Sequence, residues 1–229
     1  MTEPLPGAPP AAAAPVQTRR YDFAPNCIWT FTVPDHAALN PRLLALIEEE
    51  RRLSPEGRDC AGRDMWQSSR SVADEPPVRE LFRSIFGVAA EVADFLRWDV
   101  RGRQPVCEVC WANVHPPGSY HTRHIHPATV QLSGVYYIQA PQGCGDIVFH
   151  DLARFLGLWA AAPATAEPTL HNLSRFAIEP QPGLGVLFPA YVMHEVETNR
   201  SDGERVGIAF NVNFEAPAAR RPEPPAGSG

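Results

Sequence analysis

Apolar residues recur along this chain with two different periods. Up to about residue 100 the spacing is helical. Leu43, Leu44, Leu46 and Ile47 form one stripe, and Val78, Leu81, Phe82, Ile85, Val88, Val92, Phe95 and Leu96 form a longer one. Asn40-Pro41 reads as the start of the first helix, a capping Asn before a Pro whose missing N–H is not needed there. Glu48 to Arg52 read as its solvated end. The second helix begins near Pro77 and needs a large apolar surface to lie on. Between the two, Asp64-Met65-Trp66-Gln67-Ser68 reads as loop or short strand. From about residue 104 the period shortens to two, and strands are expected over 106–114, 130–139, 146–150, 184–190 and 205–214, separated by Gly and Pro turns. In the last of them Val206, Ile208, Phe210, Val212 and Phe214 alternate with Arg205, Gly207, Ala209, Asn211 and Asn213. One face is wholly apolar and suits burial under helices. The other holds small and polar residues with a single Arg, which suits a barrel interior holding a polar ligand. The fold class predicted is α+β, mainly β, with helices packed outside a β-sandwich or open barrel.

Length and composition narrow the picture without changing it. The 229 residues, 44% hydrophobic and 20% charged, suffice for one packed domain and exclude wholesale disorder. Pro- and Ala-rich stretches at both ends read as flexible tails over 1–20 and 216–229. That leaves one domain over 21–215, its helical part at about 40–100 and its β core at about 104–215. A net charge of −6 and the lack of any basic run argue against nucleic acid as a partner. No stretch has transmembrane length and the N-terminus lacks the features of a signal peptide, so the expected location is the cytoplasm. Five cysteines do not suggest a disulfide scaffold.

Four of the eight histidines crowd into residues 115–126. In His124-Ile125-His126, positions i and i+2 of an extended segment point the same way, so both imidazoles can reach one metal ion. His194 follows after Phe188-Pro189-Ala190-Tyr191-Val192-Met193. A local pair with one distant His is a common way to build three ligands on one side of a metal, leaving other positions open to substrate or oxygen.

The ordered set His124-x-His126, Leu132-Ser133-Gly134-Val135-Tyr136-Tyr137, Gly183-x-x-x-Leu187-Phe188-Pro189, His194-x-Val196 and Arg205 resembles the iron(II)/2-oxoglutarate-dependent dioxygenases. Within them it is most similar to a small group of bacterial and phage oxygenases related to prolyl 4-hydroxylases. Trp66-Gln67-Ser68, Trp111-x-Asn113 and Phe210-Asn211 also match, and the resemblance spans about residues 27 to 215. It implies a double-stranded β-helix, jelly-roll or cupin-like, with flanking helices. It implies Fe(II) on His124, His126 and His194, and Arg205 on the far carboxylate of 2-oxoglutarate. It also implies O2 as cosubstrate and hydroxylation of a C–H bond of a small molecule, amino acid or peptide side chain, releasing succinate and CO2. Tyr136 or Tyr137, and Asn113 or Asn211, are candidates for further cosubstrate contacts, with Tyr137, Asn113 and Asn211 favoured.

Two departures stand out. Most of the superfamily has Asp or Glu where this chain has His126, which leaves Asp146 or Asp151 as an alternative third ligand. Many relatives have Ser two residues after the Arg, where this chain has Gly207, so another donor must serve. Two other functions use the same residues: a three-His cupin-type dioxygenase that needs no 2-oxoglutarate, and a non-catalytic metal-containing binding module. Succinate formation from added 2-oxoglutarate separates the first reading from both.

The remaining signals are weaker. Cys107-Glu108-Val109-Cys110 on a regular strand would point its sulfurs to opposite faces and so not share a zinc. His121 reads as a loop residue or a second-sphere partner of a ligand, His150-Asp151 as neighbours facing apart, and His115 and His171 as surface residues. Residues 152–182, with Phe155, Leu156, Leu158 and Trp159, are long for a loop and read as a cover over the metal site. A homodimer through exposed apolar helix faces is a further expectation.

Overall fold

A computed structural model of the chain describes residues 26–58, 64–152, 167, 169 and 172–216. The predicted tails and most of the 152–182 segment, including Phe155, Leu156, Leu158, Trp159 and His171, lie outside the described residues.

Ten strands and two helices are described, in the order β1 (Trp29–Thr32), α1 (His36–Leu53), β2 (Trp66–Gln67), α2 (Pro76–Phe95), β3 (Gln104–His115), β4 (His121–His124), β5 (Leu132–Gln139), β6 (Ile147–His150), β7 (Arg175–Ile178), β8 (Leu184–Pro189), β9 (His194–Val196) and β10 (Arg205–Glu215). They form a six-stranded sheet, β1-β8-β5-β10-β3-β2, and a four-stranded sheet, β4-β9-β6-β7. Every recorded pairing is antiparallel. This is the two-sheet arrangement of a double-stranded β-helix with its helices on the larger sheet.

The alternation of β10 decides which face does what. Val206, Ile208, Phe210, Val212 and Phe214 join Leu43, Ile47, Val78, Leu81, Ile85 and Val92 of the helices in the main core. Phe82 meets Phe210 edge-on at 5.7 Å between ring centroids, and Trp98 meets Phe214 at 6.3 Å. A smaller cluster of Tyr137, Ile147, Phe149, Val186, Phe188 and Val192 lies between the sheets. The sheets are therefore glued from both sides, and the polar positions of β10 look into the space that remains.

Three local expectations need correction. The first helix starts at His36, a turn before Asn40, with Pro41 inside it. Asn40 caps nothing: it is buried, donating Nδ2 to Ile138 O at 3.0 Å and accepting the Tyr136 hydroxyl at 2.6 Å. Second, the end of α1 is not wholly solvated. Glu50 is 6% exposed and accepts from Arg70, whose guanidinium also reaches Glu75 at 2.7 Å, tying α1 to the entry of α2. Third, the two CxxC cysteines share a face. The β3–β10 register slips between Asn211 and Val212, leaving Glu108 as an extra residue, so Cys110 lies opposite Phe210 and Cys107 opposite Val212. The two thiols are hydrogen-bonded to each other, which together with burial pushes the Cys110 thiol up.

Asn40 yields a stability prediction. Asn40→Ala strands a buried tyrosine hydroxyl and a strand carbonyl, so about 2–4 kcal/mol of unfolding free energy should be lost. Urea unfolding with unchanged m-value checks it.

Candidate metal centre and cosubstrate pocket

The cavity between the sheets is lined from β10 by Arg205, Gly207 and Ala209 and from β5 by Ser133, Val135 and Tyr137. On its other side stand the histidines. His124 and His194 are direct register partners on β4 and β9. His126 lies just beyond β4, its backbone N–H bonded to Ala190 O at 3.0 Å. The His124 and His126 rings lie 5.3 Å apart, the first at the end of β4 and the second on the segment that follows. Ring centroids are 4.2 Å apart for His124 and His194 and 5.2 Å for His126 and His194. One ligand nitrogen from each of the three lies within 4.8 Å of the others, a spacing that suits a single metal ion.

Burial readies these rings for a cation. Desolvation, and after it the charge of His124, hold His194 at about 2 and His126 at about 4. Both are neutral at physiological pH, the form that ligates. Two are also aimed: His124 Nδ1 lies 2.8 Å from Thr122 O and His194 Nδ1 lies 2.9 Å from Val192 O, which leaves Nε2 of each toward the cavity.

Arg205 is 2% exposed. Its Nη1 donates to the carbonyls of Cys144 and Gly145, the latter at 2.8 Å. Those carbonyls face the guanidinium because the turn before β6 passes through Gly145 at φ +85°, where an added Cβ would lie 2.4 Å from Glu197 O. Burial lowers the Arg205 pKa, but a guanidinium stays charged. Its Nη2 and the Tyr137 hydroxyl are buried and have no hydrogen-bond partner among the described residues. Two orphaned donors, one of them cationic, suit the carboxylate of 2-oxoglutarate.

The paired candidates separate cleanly. Tyr136 turns to the helices and Asn40, whereas Tyr137 faces the cavity. Asn113 lines the cavity and accepts from Gln67 Nε2 at 2.9 Å; Asn211 does not line it, and its buried Oδ1 has no partner among the described residues. Asp146 and Asp151 stand outside both the cavity lining and the three-His group. Burial, and then the charges of Glu197 and Glu179, raise the Asp146 carboxyl.

Some lining residues escaped the sequence reading. His115, expected at the surface, is 6% exposed and sits opposite Arg205 in the β3–β10 register. His121 also lines the cavity and stacks on His124 at 4.4 Å. Trp111 and Gln67 stood within matched motifs but had no role; both are wall residues. His150 turns away, bonding Glu195 at 3.1 Å.

Gly207 explains one departure. An added Cβ would meet Tyr136 O at 2.7 Å, so a Ser cannot enter without moving the sheet, and the Tyr137 hydroxyl stands free to donate instead. Gly207→Ser should destabilise the fold by about 1–3 kcal/mol and should not improve 2-oxoglutarate binding. A thermal melt with a binding titration checks both.

Comparison with known proteins supplies an independent line. Residues 109–211 match the family described as "Putative 2OG-Fe(II) oxygenase", a stretch that holds all three clustered histidines and Arg205. No curated protein matches the chain. Among solved structures it is similar to a prolyl-4-hydroxylase of Pseudomonas putida, with TM-score 0.56 and 16% identity over 82% of this chain and 92% of that one. It is also similar to an oxidoreductase of the 2OG-Fe(II) oxygenase family from Burkholderia pseudomallei, with TM-score 0.52 and 18% identity over 84% and 88%. A third is HygX from Streptomyces hygroscopicus, solved with nickel and 2-oxoglutarate bound, with TM-score 0.52 and 11% identity over 82% of each chain. At these identities the likeness is one of fold. No described helix is long and apolar enough to cross a membrane.

Proposed function

We propose that this iron(II)/2-oxoglutarate-dependent oxygenase, prolyl-4-hydroxylase-like in kind, holds iron on His124, His126 and His194 and its cosubstrate on Arg205 and Tyr137. It hydroxylates a C–H bond of a small molecule, amino acid or peptide side chain. One observation supports this above the others: a cluster of three imidazoles shares a cavity with a buried guanidinium whose Nη2 has no hydrogen-bond partner among the described residues. Bound there, iron(II), 2-oxoglutarate and O2 would supply oxidative decarboxylation to succinate and CO2, one oxygen atom of O2 going to succinate and the other to the substrate.

The chain's own residues bind, orient and shield. Arg205 and Tyr137 donate to the far carboxylate. Val135, Ile147, Phe188 and Val196 make much of the cavity lining apolar, which strengthens hydrogen bonds inside it. Gln67, Asn113, Trp111 and His121 add a polar and aromatic surface on which a substrate can be seated. We place the activity in one domain over 21–215. The adjacent Cys107 and Cys110 stand as thiols rather than as a disulfide, which favours the cytoplasm. Exposed Leu53 and Phe95 offer a homodimer contact.

Anaerobic titration of 2-oxoglutarate into the iron(II)-loaded protein, followed by its visible charge-transfer band, tests the reading. A saturable band with succinate formation on admitting air is expected. An iron-loaded protein that gives no band would return the choice to the cosubstrate-free dioxygenase or the binding module.

A further inference from the structure

The three clustered histidines are not held alike. His124 and His194 each turn Nδ1 to a backbone carbonyl two residues earlier, so Nε2 is the nitrogen left for an ion. His126 is held the other way round. Its Nε2 lies 2.9 Å from Ser133 Oγ on β5, and that hydroxyl lies 3.5 Å from Phe210 O on β10. A hydroxyl donating to the carbonyl turns its lone pairs toward the ring and accepts the Nε2–H. That order of donors puts the proton of His126 on Nε2 and the lone pair on Nδ1. Ser133 is 3% exposed, and His126 is further pinned through its backbone N–H on Ala190 O.

Resting on the reading of this cluster as a metal centre, we propose that Ser133 is a positioning residue for the metal, and that His126 ligates through Nδ1 while His124 and His194 ligate through Nε2. The chemistry of reach makes the idea testable. Nδ1 is bonded to Cγ, as is a carboxylate oxygen of Asp. Nε2 stands further out along the ring, closer to where the longer side chain of Glu carries its oxygens. His126→Asp and His126→Glu bring the same charge and the same donor atom to two different depths.

Cobalt(II) is the probe, its affinity read from the visible ligand-field spectrum of the full chain, with circular dichroism to verify folding. The Asp variant should hold cobalt at least about tenfold more tightly than the Glu variant, a difference within the range that positioning around a metal commands. Equal affinities, or Glu above Asp, overturn the inference while leaving the metal centre in place. Wild-type protein that takes up no cobalt overturns the metal reading itself.

Ser133 has its own readout. Ser133→Ala should weaken cobalt binding by about 10–100-fold, and Ser133→Thr, which restores a hydroxyl, should recover part of it. In proton NMR of the cobalt form, three exchangeable, paramagnetically shifted imidazole N–H signals are expected. One should show nuclear Overhauser contacts to two carbon-bound ring protons, as only an Nδ1-ligated ring permits. Ser133→Ala should exchange that signal away and spare the two held by Thr122 and Val192. Unchanged affinity with all three signals intact overturns the role of Ser133.

Discussion

Arg205→Ala raises the 2-oxoglutarate concentration needed to fill the iron(II) protein by about a hundredfold or more, with iron binding itself unchanged. Among the described residues that line the cavity, Arg205 is the only Arg and there is no Asp or Glu. Its Nη1 is already engaged by the carbonyls of Cys144 and Gly145, which fix the guanidinium plane and leave Nη2 for a ligand. A hydrogen bond to a charged group contributes about 1.5–3 kcal/mol. Losing one or two such bonds in a dry pocket, at about 1.4 kcal/mol per tenfold, gives the stated loss. Arg205→Lys should recover little, because an ammonium cannot grip the two turn carbonyls and a carboxylate in one plane. The charge-transfer titration measures the shift, and iron content of the desalted variants shows that the metal is untouched. A variant that saturates at the wild-type concentration would move the cosubstrate's far carboxylate to the Gln67–Asn113 wall.

The face that carries Arg205 is already legible in the chain. The alternation over 205–214 separated a helix-facing side from a ligand-facing side, and β10 keeps that division with Val206, Ile208 and Phe210 in the core and Arg205, Gly207 and Ala209 on the cavity. What stayed hidden shares a physical cause: it depends on partners far away in sequence. Asn40 carries the signature of a helix cap, yet serves as a buried polar link because Tyr136 and Ile138, nearly a hundred residues later, arrive beside it. His115 reads as an ordinary surface histidine until β10 brings Arg205 opposite it. The cysteine pair points one way on a regular strand and another on a bulged one, and the bulge belongs to the pairing of two strands.

The proposed metal centre was legible in composition and less so in geometry. His124-x-His126 with His194 named the three residues, and the strand rule gave a reason for the first two to converge. The two are held differently, since β4 ends at His124 and His126 follows on the segment beyond it with its backbone N–H on Ala190 O. The difference matters chemically. Two rings on paired strands take the same carbonyl-held pose, while the ring on the loop is held from β5 by Ser133. A strand-borne trio would have been three equivalent ligands. This one is two and one.

His194→Ala produces two effects of opposite sense. Iron affinity should fall by about a hundredfold or more. Structural metal sites of four ligands bind with about 10–16 kcal/mol, or about 3 kcal/mol per ligand, and His194 is the most deeply buried of the three, at 4% exposed. In the metal-free protein the same side chain is a liability. Desolvation holds it at about 2, against an ordinary value of 6.5. The unfolded chain therefore takes up a proton near pH 6.5 that the folded chain refuses, and stability falls as pH drops below that point. Each such group contributes a slope of about 1.4 kcal/mol per pH unit. His126, held at about 4, adds to it over the upper part of the window. Metal-free wild type should therefore lose stability steeply from pH 6.5 to 4.5, and His194→Ala should lose it less steeply, though it starts lower at neutral pH because of the cavity it leaves. The slope, read from urea unfolding at several pH values, is the diagnostic quantity. If the variant kept the wild-type slope, His194 would be protonated in the folded, metal-free protein, and the desolvation that prepares it to ligate would be absent.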